Sequence, residues 1–170
     1  MQSVKKKVTL CGFMGAGKSH FLQKLQNTSL PYQFKDLDEE VFKGQGSGYN
    51  HLGELIEEMG WDAFRHLEYD FLKDLIVAPD NMVIALGGGA FNQNLLEQSI
   101  SIWLNTPFEV CFARIRESKE RPLIKLSKEE LQNLYQEREF QYKKCKYILK
   151  PEEMEQITSL EDLFSSLGLQ

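Results

Sequence analysis

The sequence predicts an α/β domain in which a parallel β-sheet is covered by helices on both faces. Short apolar runs alternate with longer segments whose apolar residues recur at helical spacing, and this alternation is typical of β-α-β units. The first apolar run leads into a glycine-rich segment and then a helix, which places a ligand outside the carboxyl ends of the strands. A length of 170 residues is enough for one sizeable core, so we expect residues 1–170 to form a single domain.

The predicted elements alternate along the chain. The apolar runs predict strands over residues 8–11, 33–37, 82–86, 100–104 and 147–149. Helical spacing predicts helices over 18–27, 107–117, 127–144 and 159–167, with a further helical region over about 52–75 that Gly60 divides in two. Pro107 suits a first helical position, and Ser127 with Glu130 forms a capping-box pattern. Two segments fit a layered core less well and are candidate substrate-binding and lid elements: the region that begins with glycine-rich 44–48, and the charged 116–128.

Composition and charge argue against several classes of protein. The net charge is −5 and no long basic stripe follows any predicted helix, so we expect no nucleic-acid or membrane partner. No apolar stretch approaches the 18 or so residues of a membrane span, and the run after Lys5–Lys7 is too short for a signal peptide. The three cysteines are odd in number and lack metal-ligand spacing, which disfavours a disulfide framework and fits a reducing cytoplasm.

The most informative motif reads Gly-Phe-Met-Gly-Ala-Gly-Lys-Ser over residues 12–19 and fits the Walker A pattern. Such a loop wraps backbone N–H groups around a β-phosphate, and the tight turn requires its glycines, Gly12, Gly15 and Gly17. Lys18 would reach the β- and γ-phosphates, and the Ser19 hydroxyl would bind Mg²⁺ at the start of the next helix. The alternative is a glycine-rich turn without a ligand, which the strand before and the helix after it disfavour.

A pair of carboxylates, Asp36 and Asp38, stands at the end of the second predicted strand. With the two-residue period of a strand, both would point to the same side of the chain. One could hold Mg²⁺, directly or through water, and the other could orient an attacking hydroxyl and take its proton. The alternative is a solvated turn that continues into Glu39 and Glu40, and the phosphate loop upstream disfavours it.

The arginines are candidates for binding anions, because an acidic protein that holds phosphates needs a local positive pocket. Glu68 lies one helical turn after Arg65 and could hold its guanidinium, although a simple surface ion pair has the same pattern. Arg121 lies in a charged segment that suits a lid closing over ATP. The histidines, His20, His51 and His66, share no spacing and are interpreted as structural rather than as metal ligands.

Several motifs together resemble those of the shikimate kinase family, small P-loop kinases of the nucleoside-monophosphate-kinase type, over about residues 8–149. Their order and approximate spacing agree with the family as well. Besides the Walker loop, the matching segments are Asp36-Leu37-Asp38, Phe64-Arg65-His66-Leu67-Glu68, Leu86-Gly87-Gly88-Gly89-Ala90, Arg121-Pro122-Leu123-Ile124, and Arg138 four residues before Tyr142.

The resemblance implies a three-layer P-loop NTPase fold with a five-stranded parallel sheet in the order 2-3-1-4-5, flanked by helices. It implies a substrate-binding helical region at about 37–76 and a short lid at about 114–128. It also implies Mg²⁺ as cofactor, ATP and shikimate as substrates, and a monomer in the cytoplasm. The reaction would be in-line transfer of the γ-phosphoryl group of ATP to the 3-hydroxyl of shikimate, giving shikimate 3-phosphate and ADP for aromatic amino acid biosynthesis.

The resemblance also implies a role for each matching residue. The catalytic residues would be Lys18, Asp38 and Arg121. ATP would contact Gly12, Gly15, Ala16, Gly17, Lys18, Ser19, His20, Arg114 and Arg121, with Arg114 near the adenine. Shikimate would contact Asp38, Arg65, Gly87, Gly88, Gly89 and Arg138, and the metal would be held by Ser19 and Asp36.

The sequence departs from the family pattern at a few places. His20 stands where the family usually has Thr, Trp61 where it usually has Glu, and the segment that contains the Gly44–Tyr49 loop is a few residues longer. Two other functions stay open: a P-loop kinase for another small anionic acceptor such as gluconate or a nucleotide, and a nucleotide-binding regulatory protein without kinase activity. The second is disfavoured because the chain has neither an Asn-Lys-x-Asp nor a Leu-Ser-Gly-Gly motif.

Overall fold

The structure is a computed structural model that describes residues 6–118 and 125–170. Within these residues one sheet of five strands is parallel throughout, in the order β2-β3-β1-β4-β5. The strands are β1 (Lys7–Cys11), β2 (Gln33–Asp36), β3 (Met82–Ala85), β4 (Ile100–Leu104) and β5 (Tyr147–Leu149). The fold class and the strand order predicted above are confirmed.

Helices follow or connect the strands along the described parts of the chain. They are α1 (Lys18–Leu25), α2 (Leu37–Gln45), α3 (Leu52–Met59), α4 (Trp61–Val77), α5 (Gln93–Leu96), α6 (Phe108–Glu117), α7 (Lys128–Tyr142), α8 (Pro151–Gln156) and α9 (Leu160–Ser166). Gly60 separates α3 from α4 with φ +83° and ψ 157°, a conformation open essentially to glycine alone, so the predicted division is correct. None of the described helices is both long and apolar enough to cross a membrane.

The ends of the helices can be compared with the caps and first residues that the sequence predicted. The predicted capping box is present, because the Ser127 N–H donates to Glu130 Oε2 at 2.7 Å and the Glu130 N–H donates to Ser127 Oγ at 3.1 Å. Pro107 is the N-cap of α6 and not its first helical residue. The short helices α5 and α8 were not predicted, since four and six residues are too few to show a helical period.

Two predictions about the segment after β2 are wrong. Strand β2 ends at Asp36 and α2 begins at once with Leu37, because the Asp36 carboxylate caps the helix by accepting from the backbone N–H groups of Asp38 and Glu39. Gly44 is helical, so the predicted Gly44–Tyr49 loop is shorter and begins at Gly46.

The sheet separates two apolar layers, as expected for three-layer α/β packing. Alternate residues of the inner strands enter opposite layers: Val8, Leu10, Val83 and Ala85 pack with α1 and α9, whereas Met82, Ile84 and Trp103 pack with α2, α4 and α6. The strand ends are level, because Ala85 pairs with both Leu10 and Asp36. The segments after β1, β2 and β3 therefore emerge side by side at one edge of the sheet.

Candidate active site

A cavity of about 520 Å³ opens at this carboxyl edge of the sheet. It is lined from one side by the loop between β1 and α1, and from the other by α3, α4 and the segment after β3. Predicted site residues that line it are Gly15, Gly17, Lys18, Ser19, His20, Asp36, Asp38, Arg65, Gly87, Gly88, Gly89, Arg114 and Arg138. The structure thus brings the Walker loop and the predicted acceptor residues to one cavity.

The loop over residues 12–19 is shaped by its backbone. Gly15 and Gly17 have φ values of +79° and +94°, and a Cβ on Gly15 would lie 2.7 Å from the carbonyl oxygen of Cys111. Lys18 Nζ donates to the carbonyl oxygens of Gly12 at 2.6 Å and Phe13 at 3.0 Å, so its ammonium lies across the loop. The first turn of α1 contains no acidic residue, which leaves its positive end available to an anion.

The rear of the same loop is fixed by side chains from the β4–α6 connection and α6. Thr106 Oγ1 donates to the carbonyl oxygen of Ala16 at 2.8 Å, and Arg114 Nη1 donates to that of Gly15 at 2.9 Å. Tyr135 of α7 in turn donates to the Thr106 carbonyl oxygen at 2.7 Å. Thr106 and Tyr135 were not identified from the sequence, because they lie about 90 residues or more beyond the loop and belong to no motif.

Ser19 and Asp36 form the oxygen pair predicted to hold a metal. Ser19 Oγ donates to Asp36 Oδ2 at 2.7 Å, although Asp36 belongs to the end of β2. The two-residue strand period predicted for Asp36 and Asp38 is wrong, since Asp38 lies in the first turn of α2. Both nevertheless line the cavity, Asp36 as the N-cap of α2 and Asp38 from its first turn.

The residues present suit Mg²⁺ more than a metal held entirely by protein. Hydroxyl and carboxylate oxygens are hard ligands, and Mg²⁺ keeps waters and phosphate oxygens beside one or two protein ligands. In the described residues no group of three or more His, Cys, Asp or Glu side chains is placed to hold a metal. The Ser19–Asp36 pair fits such a partial ligand set.

The three glycines after β3 allow charged side chains to approach the backbone. A Cβ on Gly87 would lie 2.8 Å from both Asp38 Oδ1 and Glu68 Oε2, and one on Gly88 would lie 3.0 Å from Arg138 Nη1. A Cβ on Gly89 would overlap the guanidinium of Arg65. The glycine run is therefore the surface on which two carboxylates and two arginines meet.

Arg65 is held by its neighbours on α4. Its Nη1 donates to Glu68 Oε1 at 2.7 Å, and its Cζ lies 4.9 Å from the ring centroid of Trp61 and 5.7 Å from that of Phe64. The expected ion pair is present and is more than a surface pair, since the Glu68 side chain is only 3% exposed.

Glu68 is a site residue that the sequence motifs indicated only as the partner of Arg65. Its Oε2 is buried and has no hydrogen-bond partner among the described residues. Burial raises the pKa of this carboxyl, and the positive charge of Arg65 opposes the rise. The sequence carried a signal that was missed: Glu68 lies four residues from both Phe64 and Leu72, at a core-facing position of the helix.

Arg138 reaches the cavity from α7. Its Cζ lies 5.6 Å from the ring centroid of Phe13, and burial lowers the pKa of its guanidinium while the Tyr142 hydroxyl opposes that change. Tyr142 donates from its hydroxyl to the Gly88 carbonyl oxygen and so ties α7 to the glycine run. The opposite pKa shifts of Glu68 and Arg138 both arise because the two charges are withdrawn from water.

A second cavity, of about 620 Å³, continues from the phosphate loop on the side of α1 and α8. Gly17, His20 and Arg114 line both cavities, and Ala16, Pro151 and Met154 line the second. Arg114 was predicted to lie near the adenine of ATP, and that contact stays a prediction. The short helix α8, which supplies part of this wall, was missed in the sequence.

Of the predicted site residues that the structure describes, one lines neither cavity. Gly12 lines neither, and its carbonyl oxygen accepts from Lys18. Arg121 lies outside the described residues, so its place in a lid stays a prediction. Apolar residues of α3 and α4 complete the first cavity: Leu52, Ile56 and Trp61, which belong to no quoted motif, and Phe64, which opens the Phe64–Glu68 motif.

Comparisons with known proteins agree with this geometry. A family model for shikimate kinase matches residues 14–167. The chain is 36% identical to a shikimate kinase of Aquifex aeolicus over 167 residues, which is 95% of this chain and 96% of the relative. A crystal structure of shikimate kinase from Aquifex aeolicus superimposes with a TM-score of 0.76 at 34% identity, over 95% of this chain and 96% of the other.

A shikimate kinase of Acinetobacter baumannii, solved in complex with shikimate, superimposes with a TM-score of 0.82 at 26% identity and covers 98% of this chain and 97% of the other. The family model spans most of the chain, and the identity to the Aquifex protein extends over nearly its whole length. The chain belongs to the shikimate kinase family.

Proposed function

We propose that this protein transfers the γ-phosphoryl group of ATP to the 3-hydroxyl of shikimate, giving shikimate 3-phosphate and ADP. The observation that carries the proposal is the single cavity in which a phosphate loop faces two arginines and two carboxylates gathered on Gly87–Gly89. The membership of the chain in the shikimate kinase family supports it. The shikimate held by the Acinetobacter baumannii relative supports the choice of acceptor.

The donor side binds and neutralises the phosphates of ATP. Backbone N–H groups of residues 12–19 and the positive end of α1 bind the β-phosphate, and Lys18 exchanges its loop carbonyl oxygens for the β- and γ-phosphates. Ser19 and Asp36 would hold Mg²⁺, directly or through water, and the bound ion would offset charge on the transferring group. The adenine occupies the second cavity beside Arg114.

The acceptor side orients shikimate. Arg65 and Arg138 pair with its carboxylate, because a planar guanidinium matches a carboxylate with two parallel hydrogen bonds. The unpaired Glu68 Oε2 accepts from a ring hydroxyl, which satisfies an oxygen that is otherwise buried without a partner. Glycines 87–89 let the ring approach the backbone.

Asp38 positions the reacting hydroxyl. Asp38 Oδ1 and Glu68 Oε2 each lie 2.8 Å from the position that a Cβ on Gly87 would occupy, so the two oxygens are close to each other. The two carboxylates can therefore bind different hydroxyls of one small ring. The oxygen of the 3-hydroxyl bonds to the γ-phosphorus of ATP while the bond from that phosphorus to the β–γ bridging oxygen breaks and ADP leaves. The hydroxyl proton passes to the Asp38 carboxylate. Catalysis is mostly positioning and charge stabilisation.

The proposal also includes a lid, a monomeric state and a location in the cytoplasm. Arg121 stabilises the transferring phosphoryl group when a lid at about 114–128 closes over a substrate-binding region at about 37–76. Both cavities are formed within one chain, which supports a monomer. Because ATP is a substrate, we expect the protein to work in the cytoplasm, where ATP is available.

An assay of ADP release against a panel of acceptors tests the function. Shikimate should give the fastest release, ahead of quinate, gluconate and nucleoside monophosphates. Faster release with gluconate or a nucleotide would assign another acceptor. Release that does not depend on any acceptor, with no phosphate ester formed, would favour a regulatory protein.

The substitution Asp38→Asn tests the role of the carboxylate in the same assay. We expect kcat to fall by about 10²- to 10⁴-fold with ATP affinity nearly unchanged, since the variant cannot take the proton. Glu39→Gln is the matched control, because Glu39 is the neighbouring acid on α2 and is exposed. Unchanged turnover of Asp38→Asn rejects the role.

A further inference from the structure

Trp61 occupies an unusual place for a large aromatic residue. It is the first residue of α4, its side chain lines the first cavity, and 39% of the residue is exposed. Of the two tryptophans in the chain, the other, Trp103, is 4% exposed in the core. The indole therefore lies at the rim of the first cavity, where a ligand in that cavity can contact it.

The indole is the wall against which Arg65 lies. Trp61 precedes Arg65 by one helical turn, and the guanidinium carbon is 4.9 Å from the indole centroid. Phe64 fixes the indole in turn, with ring centroids 6.1 Å apart and planes at 83°. An arginine stacked on an indole is attracted by the π-electrons of the ring and keeps its N–H groups free for ligands in its own plane.

Arg65 is thereby limited on three sides. Glu68 accepts from Nη1, Gly89 lies behind the guanidinium, and Trp61 covers one side of it. Glu68 is the only hydrogen-bond partner of the Arg65 guanidinium in the part of the chain that the structure describes. Removal of the indole would leave the guanidinium free to rotate away from Gly89 towards water, since the ion pair alone fixes only one of its edges.

We propose that Trp61 is a positioning residue for the acceptor: its indole holds the guanidinium of Arg65 against Gly89, ready to pair with the carboxylate of a compact ring acid. The inference rests on the proposed function, in which Arg65 binds that carboxylate. Trp61 also joins Leu52 and Ile56 in an apolar wall that suits the C–H face of a ring better than an open-chain polyol. Trp61 does not touch the reacting atoms and so should affect binding rather than the chemical step.

Steady-state kinetics of three variants test the proposal. Trp61→Leu keeps apolar bulk and removes the π-surface, and we expect the KM for shikimate to rise about 3- to 10-fold with kcat and the KM for ATP within about twofold of the wild type. Trp61→Phe restores an aromatic face and should recover most of the loss. Tyr69→Leu is the matched control, because Tyr69 is an aromatic residue of α4 with 40% exposure that lines neither cavity, and it should leave all parameters unchanged.

Intrinsic fluorescence supplies a second, independent measurement. Shikimate titrated into the wild type should change the tryptophan emission, because Trp61 lines the acceptor cavity whereas Trp103 is buried and does not line it. Trp61→Phe should abolish the change while retaining turnover.

An unchanged KM for shikimate in Trp61→Leu would overturn the inference, as would an equal loss in kcat or in ATP binding, which would indicate a merely structural role. An emission change that persists in Trp61→Phe would also contradict it. These failures differ from a failure of the proposed function, in which the wild type itself would release no ADP with shikimate.

Discussion

The two halves of the cavity are built in different ways. The phosphate side comes from eight consecutive residues, 12–19, and its shape is set by backbone conformation, with positive φ at Gly15 and Gly17. The acceptor side comes from side chains of α2, α4 and α7 that meet on the glycine run after β3. The ligand-facing surface of one half therefore comes from local backbone geometry, braced from behind by Thr106 and Arg114, and that of the other half comes from the packing of distant elements.

The electrostatics of the two halves differ as well. The phosphate side uses N–H groups, a helix end and Lys18, which complement an anion without burying an acid. The acceptor side buries both signs of charge, and burial raises the pKa of Glu68 while it lowers that of Arg138. The Lys18 ammonium is balanced by carbonyl oxygens of its own loop, whereas the acceptor side is balanced only when its charges are paired with one another or with a ligand.

The largest effect should come from Gly15→Ala, which would break the phosphate side alone. The new Cβ would meet the Cys111 carbonyl oxygen at 2.7 Å and the residue would have to keep φ +79°. We expect the dissociation constant for ADP to rise about 100-fold, with shikimate binding little changed. Isothermal titration of both ligands measures the effect.

Gly48→Ala is the matched control for that experiment. Gly48 has φ +92°, but a Cβ added there would have no atom within 4 Å, so the variant carries the backbone strain without the clash. It should cost about 1 kcal/mol of unfolding free energy and leave ADP binding unchanged. Equal losses of ADP affinity in both variants would show that the shape of the loop is not what binds the phosphates.

Arg65→Ala should have the next largest effect, and on the other half. It removes a charge-assisted pair with the acceptor carboxylate and leaves Glu68 buried without its partner. We expect the KM for shikimate to rise about 30-fold with the KM for ATP unchanged. Arg116→Ala, which removes an exposed arginine outside both cavities, should change neither. A selective loss of ATP binding in Arg65→Ala would place Arg65 on the wrong side of the cavity.

The smallest effect concerns the pH dependence of stability. The folded pKa of Glu68 is raised above its usual 4.5, so the wild type is stabilised below that pH and loses this contribution as pH rises through the folded pKa. The unfolding free energy of the wild type, relative to Glu68→Gln, should fall as pH rises above 4.5. Urea unfolding of both proteins in steps from pH 4 to 8 measures the difference.

Glu54 provides a control of opposite sign. The backbone N–H of Asn50 lowers the pKa of this exposed carboxyl, so its contribution is lost as pH falls rather than as it rises. The difference between wild type and Glu54→Gln should therefore have the reverse slope. The same slope for both pairs would contradict the assignment of the Glu68 shift to burial.

The comparison of the two halves also explains what could be predicted from the sequence. The strand order follows from the family resemblance, and it is confirmed. The strand and helix on either side of residues 12–19 and the Ser127 cap follow from contiguous signals, and the structure contains both. At Asp36 two local preferences compete, strand formation and helix capping. Asp36 caps α2, so β2 ends one residue earlier than predicted and Asp38 lies on α2.

The missed residues share a physical cause. Thr106 and Tyr135 support the phosphate loop from about 90 residues or more away in the chain, and Tyr142 supports Gly88 from 54 residues away. A hydrogen bond between side chain and backbone at such separation leaves no spacing pattern in one sequence. Trp61 stands out in the sequence only as a departure from the family pattern, because its contact with Arg65 depends on the start of α4 at Trp61, directly after the Gly60 cap.

The most direct test of the division between the two halves is Gly89→Ala. This substitution adds one methyl group on the acceptor side, where it would overlap the guanidinium of Arg65. Both KM values should be measured on one purified sample: the account predicts at least a tenfold rise for shikimate and no change for ATP. An unchanged KM for shikimate, or an equal rise for ATP, would contradict it.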